Sequence, residues 1–321
     1  MEATSLDQSI LYHVSGVDAR DYGTVLVDAA KLGEILKSTD DDEITVTLDG
    51  DTLTFRSDGG RFKLPTENAA EFPSCQWLDG EYQEIRGVEL ATAVKRVSFA
   101  ADAENSRYAL AAIAFDLTEH FAVATNGKCA VVHPLALNGV ERDDDKSHLI
   151  LVSPSAAANA LKCISDPEEL IRVRTCDSAI QFAAAKATHW SRLVEGRYPR
   201  WQDILPASPV QRVEFGAKEL ASAIRRAKVA TSEESKGVTF AFKDDLLELS
   251  ASYAGGEAET SLACQCQPLS VTFDPDLILG FLRVLDADAR VEVKLVDGRK
   301  AALMEAGETR FVCMPLSKEA R

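Results

Sequence analysis

A short β-branched run, a turn and an amphipathic helical stretch recur five times along this chain. The first copy is Thr24-Val25-Leu26-Val27 leading into Ala29 through Leu36. The second is Gln83-Glu84-Ile85-Arg86 into Val88 through Val97. The third is Leu149-Ile150-Leu151-Val152 into Ala156 through Ile164. The fourth is Arg212-Val213-Glu214-Phe215 into Ala217 through Val229. The fifth is Leu269 through Phe273 into Leu277 through Leu285. A period of about 60 residues signals a modular architecture rather than one continuously wound core.

Between the helical stretches the text alternates apolar and polar, as half-buried strands do. Ile44-Thr45-Val46-Thr47-Leu48 and Leu53-Thr54-Phe55-Arg56 flank Asp49-Gly50-Asp51, and an Asp-Gly pair between alternating runs is a hairpin signal. Ile171 through Arg174, Leu246 through Ser250 and Val291 through Leu295 repeat the theme. Each unit reads as strand, helix, then about three antiparallel strands, which gives an α+β fold with helices on one face of the sheets. Two units make a domain of ordinary size. Five units leave the count odd, with only the strand-like Gln8 through Val14 in front of the first.

The helical stretches divide into two faces. In the fourth, Leu220, Ala223, Ile224 and Ala227 share one face at helical spacing, while Lys218, Ser222, Arg225 and Arg226 share the other. Lys31, Lys37, Lys95, Arg96, Lys162 and Arg283 give the remaining helices cations as well. A charged face is usually just a solvated one. Its repetition in a chain of net charge −16 suggests helices lining a surface that meets phosphate. The acidic balance argues against a broad basic DNA grip. It is compatible with a protein that surrounds the duplex through a cation-lined bore and repels nonspecific contacts outside.

Other classes find little support. The sequence has no phosphate-binding Gly-x-x-x-x-Gly-Lys-Ser/Thr loop, no His-Glu-x-x-His pair and no Gly-x-Ser-x-Gly elbow. His13, His120, His133, His148 and His189 lack metal-ligand spacing. Asp40-Asp41-Asp42 and Asp143-Asp144-Asp145 read as solvated turns, and Gly59-Gly60 and Gly255-Gly256 as hairpin turns. The seven cysteines are scattered and lack a Cys-x-x-Cys pair. Cys264 and Cys266 point the same way from one strand and could touch a metal, but reduced thiols used as small apolar residues are the plainer reading. The first residues carry neither a basic nor an apolar leader segment, and no apolar run approaches a membrane span, so a cytoplasmic location is expected.

Several stretches then resemble a known family. Ser191-Arg192-Leu193-Val194-Glu195-Gly196-Arg197-Tyr198-Pro199-Arg200-Trp201-Gln202-Asp203-Ile204-Leu205-Pro206 resembles the second-domain signature of bacterial sliding clamps, the beta subunits of DNA polymerase III. Phe62-Lys63-Leu64-Pro65 with Ala70-Glu71-Phe72-Pro73 resembles its first-domain counterpart. Ser106 through Leu110, Val123 through Lys128 and the ending Phe311-Val312-Cys313-Met314-Pro315-Leu316 match further family stretches in order.

The resemblance implies a non-catalytic processivity factor without cofactor: the DNA clamp fold, three similar domains per protomer, and a head-to-tail homodimeric ring with sheets outside and helices lining the bore. The domains would be residues 1–82, 83–208 and 209–321. Six units per protomer are implied, so the first domain reads as incomplete at its front. Duplex DNA would be held without sequence preference. Polymerase III alpha subunit, clamp loader and other clamp-binding-motif proteins would dock a short peptide rich in Gln, Leu and Phe. An open clamp-like adaptor that keeps the pocket is the competing reading.

By the same matches the peptide pocket would comprise Leu110, Thr125, Gly127, Pro199, Ile204, Leu277, Val312, Met314, Pro315 and Leu316. Tyr108 would be a DNA-contacting loop residue, and the cations Lys95, Arg96, Lys162, Arg225 and Arg226 would face the duplex. At the dimer edge Arg61, Phe62 and Leu64 would meet Val229 and Ala230 of the other protomer, with Glu257 and Glu259 pairing to Lys31, Arg56 or Arg61. Lys128-Cys129 and Asp203 depart from the family pattern, which suggests altered partner preference.

Overall fold

The computed structural model describes residues 1–102, 109–137, 149–206, 209–232 and 236–316. The first segment holds β1 (Glu2–Thr4), β2 (Gln8–Tyr12), α1 (Ala29–Lys37), β3 (Thr45–Asp49), β4 (Thr52–Ser57) and β5 (Gly60–Pro65). The second holds β6 (Gln83–Arg86), α2 (Gly87–Val97), β7 (Ile113–Asp116), β8 (Phe121–Thr125), β9 (Cys129–Pro134), β10 (Leu149–Val152), α3 (Pro154–Lys162), β11 (Leu170–Cys176), β12 (Ala179–Ala183) and β13 (Ala187–Arg192). The third holds β14 (Gln211–Gly216), α4 (Ala217–Lys228), β15 (Val238–Lys243), β16 (Leu246–Tyr253), β17 (Gly256–Ala263), β18 (Leu269–Phe273), α5 (Pro275–Val284), β19 (Arg290–Leu295), β20 (Ala302–Ala306) and β21 (Thr309–Cys313).

Local chemistry explains the helix starts. Asp28 caps α1 by accepting from Lys31 N at 2.8 Å, and Ser153 caps α3 by accepting from Ala156 N at 3.1 Å. Asp274 does the same for α5 through Asp276 N at 3.0 Å, and proline opens α3 and α5, where a missing N–H costs nothing. Helix α4 buries Leu220, Ala223, Ile224 and Ala227, the stripe its sequence spacing sets out. Gly50 adopts φ +57° in the β3–β4 hairpin, as an Asp-Gly turn demands.

Four sheets result. Their orders are β1-β2-β13-β12-β11-β6, β10-β7-β8-β9-β21-β20-β19-β14, β17-β16-β15-β18 and β3-β4-β5. Two of them run across segment boundaries. β2 pairs antiparallel with β13, Ile10 opposite His189, and β9 pairs antiparallel with β21, Val131 opposite Phe311. Successive segments are therefore joined edge to edge by ladder hydrogen bonds. The helices pack in a row, α3 on α2, α2 on α5 and α5 on α4. The main core lies between this row and the sheets, with Leu90, Val97, Phe182, Phe240, Phe281 and Phe311 fully buried.

The first segment departs from the repeat. The expected strand Thr24 through Val27 makes only an isolated bridge, Leu26 to Glu67. Its equivalents β10 and β18 pair with β7 and β15. No described strand takes that place beside Leu26, so no ladder forms. β3 likewise lacks a neighbour matching β6 on β11 or β14 on β19, and all five of its residues are exposed. The core under α1 is correspondingly small: Ile35, Leu53, Phe55 and Leu64.

Candidate functional site

At the joint between the second and third segments, the turn between β8 and β9 meets the end of β21. Thr125 Oγ1 donates to the Cys129 carbonyl at 2.7 Å and accepts from Gly127 N at 3.1 Å. Asn126 Oδ1 accepts from the backbone N–H of Lys128 at 3.0 Å and of Cys129 at 2.9 Å. Gly127 sits at φ +80°, a conformation that favours glycine. This turn forms one wall of a cavity of about 260 Å³ lined by Leu110, Thr125, Gly127, Lys128, Cys129, Ala130, Pro199, Ile204, Val312 and Met314.

The opposite wall is held from beneath. Trp201 is buried, and its Nε1 donates to Asp116 Oδ2 at 2.9 Å. Phe121 meets the indole edge-on, centroids 5.3 Å apart, and Arg310 lies over the other aromatic ring, 5.7 Å from the Phe121 centroid. Tyr198 donates its hydroxyl to the Val123 carbonyl at 3.3 Å, and burial raises its phenol pKa well above the ordinary value. These contacts fix the Pro199 to Ile204 stretch against the strands. The Cys129 thiol is pushed up to about 12 by burial. The cavity is a small, mainly aliphatic recess with one half-exposed methionine at its lip, suited to apolar groups.

Seven of the expected pocket residues line this cavity together: Leu110, Thr125, Gly127, Pro199, Ile204, Val312 and Met314. Leu277, Pro315 and Leu316 are not among its lining residues. Leu277 packs against the main core from α5, and Leu316 is tied by its N–H to the Thr272 carbonyl at 2.8 Å. Lys128, Cys129 and Ala130 line it in addition. The two residues that depart from the family pattern, Lys128 and Cys129, thus line this cavity. Asp203 is exposed and pairs loosely with Arg200 at 3.8 Å.

Among the expected DNA-facing cations, Lys95, Lys162, Arg225 and Arg226 are exposed on the helix row. Arg96 is a correction. Its guanidinium is only 12% exposed and pairs with Asp286 at 2.7 Å. It also donates to the Val284 carbonyl at the end of α5. A cation there satisfies a helix C-terminus and ties α2 to α5 instead of facing outward. Tyr108 lies outside the described residues.

The edge residues sort similarly. Arg61 is exposed on β5, whereas Leu64 is buried under α1 and Phe62 is half-buried against the same cluster. Val229 is 81% exposed at the end of α4, but Ala230 is 3% exposed and belongs to the core of its own segment. Glu257 and Glu259 project from β17, and Lys31 forms a surface pair with Glu34 at 2.9 Å. Among the described residues no cluster of His, Cys, Asp and Glu could hold a metal ion, and no helix is long and apolar enough to cross a membrane.

Comparison with known proteins gives a consistent answer along the chain. The DNA polymerase III beta subunit N-terminal domain matches residues 1–76, the central domain residues 84–200 and the C-terminal domain residues 202–316. The chain is 26% identical to the beta sliding clamp of Vibrio cholerae over 98% of this chain and 88% of that protein. It is 25% identical to the beta sliding clamp of Escherichia coli K12 over the same shares. The fold matches the crystal structure of the DNA polymerase III subunit beta from Pseudomonas aeruginosa with a TM-score of 0.89 at 23% identity, covering 98% of this chain and 89% of that one. A sliding clamp from the same organism bound to griselimycin matches with a TM-score of 0.90 at 23% identity, covering 98% and 87%. The three matched domains follow one another in order and together span nearly the whole sequence, so this chain belongs to the DNA polymerase III beta subunit family.

Proposed function

We propose that this protein is a DNA sliding clamp: a non-catalytic cytoplasmic ring that holds a replicative polymerase on duplex DNA. One observation carries the ring. Within the chain, segments are joined by antiparallel pairing of sheet edges, β2 on β13 and β9 on β21. Among the described residues β5 on its three-stranded sheet and β17 on its four-stranded sheet are edge strands without a partner strand. Pairing β5 of one protomer with β17 of the next repeats the same joint and closes a head-to-tail dimer. The charges suit it: Arg61 and Lys63 project from β5, Glu257 and Glu259 from β17. Val229 adds an exposed apolar contact beside β17, which packs on α4.

The helix row then faces the bore, and Lys95, Lys162, Arg225 and Arg226 meet phosphates without reading bases. The cavity around Thr125, Ile204, Val312 and Met314 takes the linear peptides of the polymerase III alpha subunit, the clamp loader and other clamp-binding proteins. Aliphatic walls with a flexible methionine favour adaptable docking of several partners.

Sedimentation at several concentrations tests the ring. A species near twice 34.8 kDa that Phe62→Ala converts to monomer is expected. A strict monomer at the highest concentration, or a dimer indifferent to Phe62→Ala, overturns the proposed closure and leaves an open adaptor.

A further inference from the structure

Cys129 on β9 and Cys313 on β21 stand directly opposite each other across the joint between the central and C-terminal segments. Met314 N donates to the Lys128 carbonyl at 2.9 Å, so the next rung carries the ladder hydrogen bond. Bonded and non-bonded rungs alternate in an antiparallel ladder, and opposed Cα atoms approach to about 4.5 Å at a non-bonded rung. The Cys129–Cys313 rung is of that kind. Its expected spacing falls within the roughly 4.4–6.8 Å a disulfide spans. Opposed residues of such a rung point to the same face, and both side chains belong to the same buried cluster.

Among the described residues each thiol has one long hydrogen-bond partner, Asn126 Oδ1 at 3.5 Å for Cys129 and the Met314 carbonyl at 3.7 Å for Cys313. Both sulfurs are otherwise held by packing in the core, the two residues being 3% and 0% exposed. Their neighbours in sequence, Lys128 and Met314, line the cavity, as does Cys129 itself.

We propose that Cys129 and Cys313 are a disulfide-forming pair, a modification site that staples the central segment to the C-terminal one beneath the partner pocket; its effect on partners rests on the pocket reading above. A hydroperoxide is the oxidant class. The Cys129 thiolate attacks one peroxide oxygen, the O–O bond breaks, and a sulfenic acid and water form with hydrogen peroxide. The Cys313 thiolate then displaces hydroxide from that sulfur and the S–S bond forms; the hydroxide released in each step takes one thiol proton, so two waters leave in all. Peroxide gains two electrons and the thiol pair loses two. Burial raises both thiol pKa values, with Asp274 at the start of α5 adding to the effect. The reaction is therefore slow compared with oxidation at exposed Cys176.

Forming the bond draws the Cys129 sulfur away from Asn126, the residue that shapes the turn at Gly127. Partner peptides should bind the stapled chain more weakly, because the rim can no longer adapt to them.

The test treats the folded full-length chain with hydrogen peroxide at pH 8 for hours, blocks free thiols and maps tryptic peptides. A linked pair of the Cys129 and Cys313 peptides, reversed by dithiothreitol and absent in Cys129→Ser, is expected. Oxidation of Cys176 with no such link overturns the site, as does a Cys264–Cys266 link in its place. The same samples are titrated with a fluorescent Gln-Leu-Phe-containing peptide. At least threefold weaker binding after oxidation, abolished in the Cys313→Ser variant, whose substituted residue is not among the cavity's lining residues, is expected. Unchanged affinity of a fully linked chain overturns the regulatory role alone. Absence of peptide binding even in the reduced chain overturns the pocket reading and leaves the mapped link standing.

Discussion

The indole of Trp201 donates to the Asp116 carboxylate at 2.9 Å with both side chains buried, 5% and 4% exposed. The same carboxylate accepts from the backbone N–H of Thr118 at 3.1 Å and Glu119 at 2.9 Å. One residue thus shapes the β7–β8 turn and anchors the turn that carries Ile204 into the cavity. Asp116→Ala leaves an indole N–H and two backbone donors without this acceptor. A loss of about 2–4 kcal/mol in urea unfolding is expected, since each stranded buried polar group costs about 1–3 kcal/mol. Peptide affinity should fall in titrations of the folded variant although Asp116 touches no peptide.

Lining residues should act without that stability cost. Met314→Ala removes a half-exposed side chain at the cavity lip, and its unfolding midpoint should stay close to that of the parent. Peptide affinity should drop by about tenfold, equivalent to ~1.4 kcal/mol. Leu277→Ala, which lies outside the lining, should show the reverse pattern: lower stability and unchanged peptide affinity.

Neighbouring cations Lys95 and Arg96 should separate cleanly. Lys95→Ala should lower the slope of log affinity for duplex DNA against log salt by about one and leave stability intact. Arg96→Ala should leave that slope unchanged. It should destabilise the fold by about 1–3 kcal/mol, because Arg96 joins Asp286 and the Val284 carbonyl. Paired salt titrations and urea unfolding decide both.

Acid should loosen the joint between the first two segments. His189 on β13 is 2% exposed, its Nε2 lies 3.1 Å from Gln8 Oε1 on β2, and burial lowers its pKa to about 4. The folded chain therefore binds fewer protons than the unfolded chain between about pH 4 and pH 6.5. The stability that goes with the neutral ring is fully present above pH 6.5 and is lost as pH falls towards 4. The loss is on the order of 3 kcal/mol. His189→Gln should flatten this part of the unfolding curve measured against pH.

Much of this molecule was readable from its letters. The five helices fall where apolar spacing places them, because that signal is local. The strand expected at Thr24 through Val27 did not form, because a ladder needs a neighbour and β-branched composition cannot supply one. Motif order grouped seven residues that do line one cavity, while Lys128, Cys129 and Ala130 were recognisable as lining only once the turn at Gly127 set their direction. Arg96 and Ala230 were misplaced for one reason: helical spacing gives the face of a residue but not the neighbouring element that covers it. Arg96 meets Asp286, just past the end of α5, across a segment boundary 190 positions away in sequence.

The bare flank of β3 has a colloidal consequence. An exposed strand with Val46 and Leu48 half-uncovered invites the same strand of another molecule to add to it. What opposes stacking is charge: Asp40, Asp41, Asp42 and Glu43 precede the strand, Asp49 ends it and Asp51 follows it. Mutual repulsion of these carboxylates is long-ranged in dilute buffer and collapses within a few ångströms at molar salt. Self-association through this edge should therefore be governed by ionic strength, with concentrated salt or mild acid promoting it.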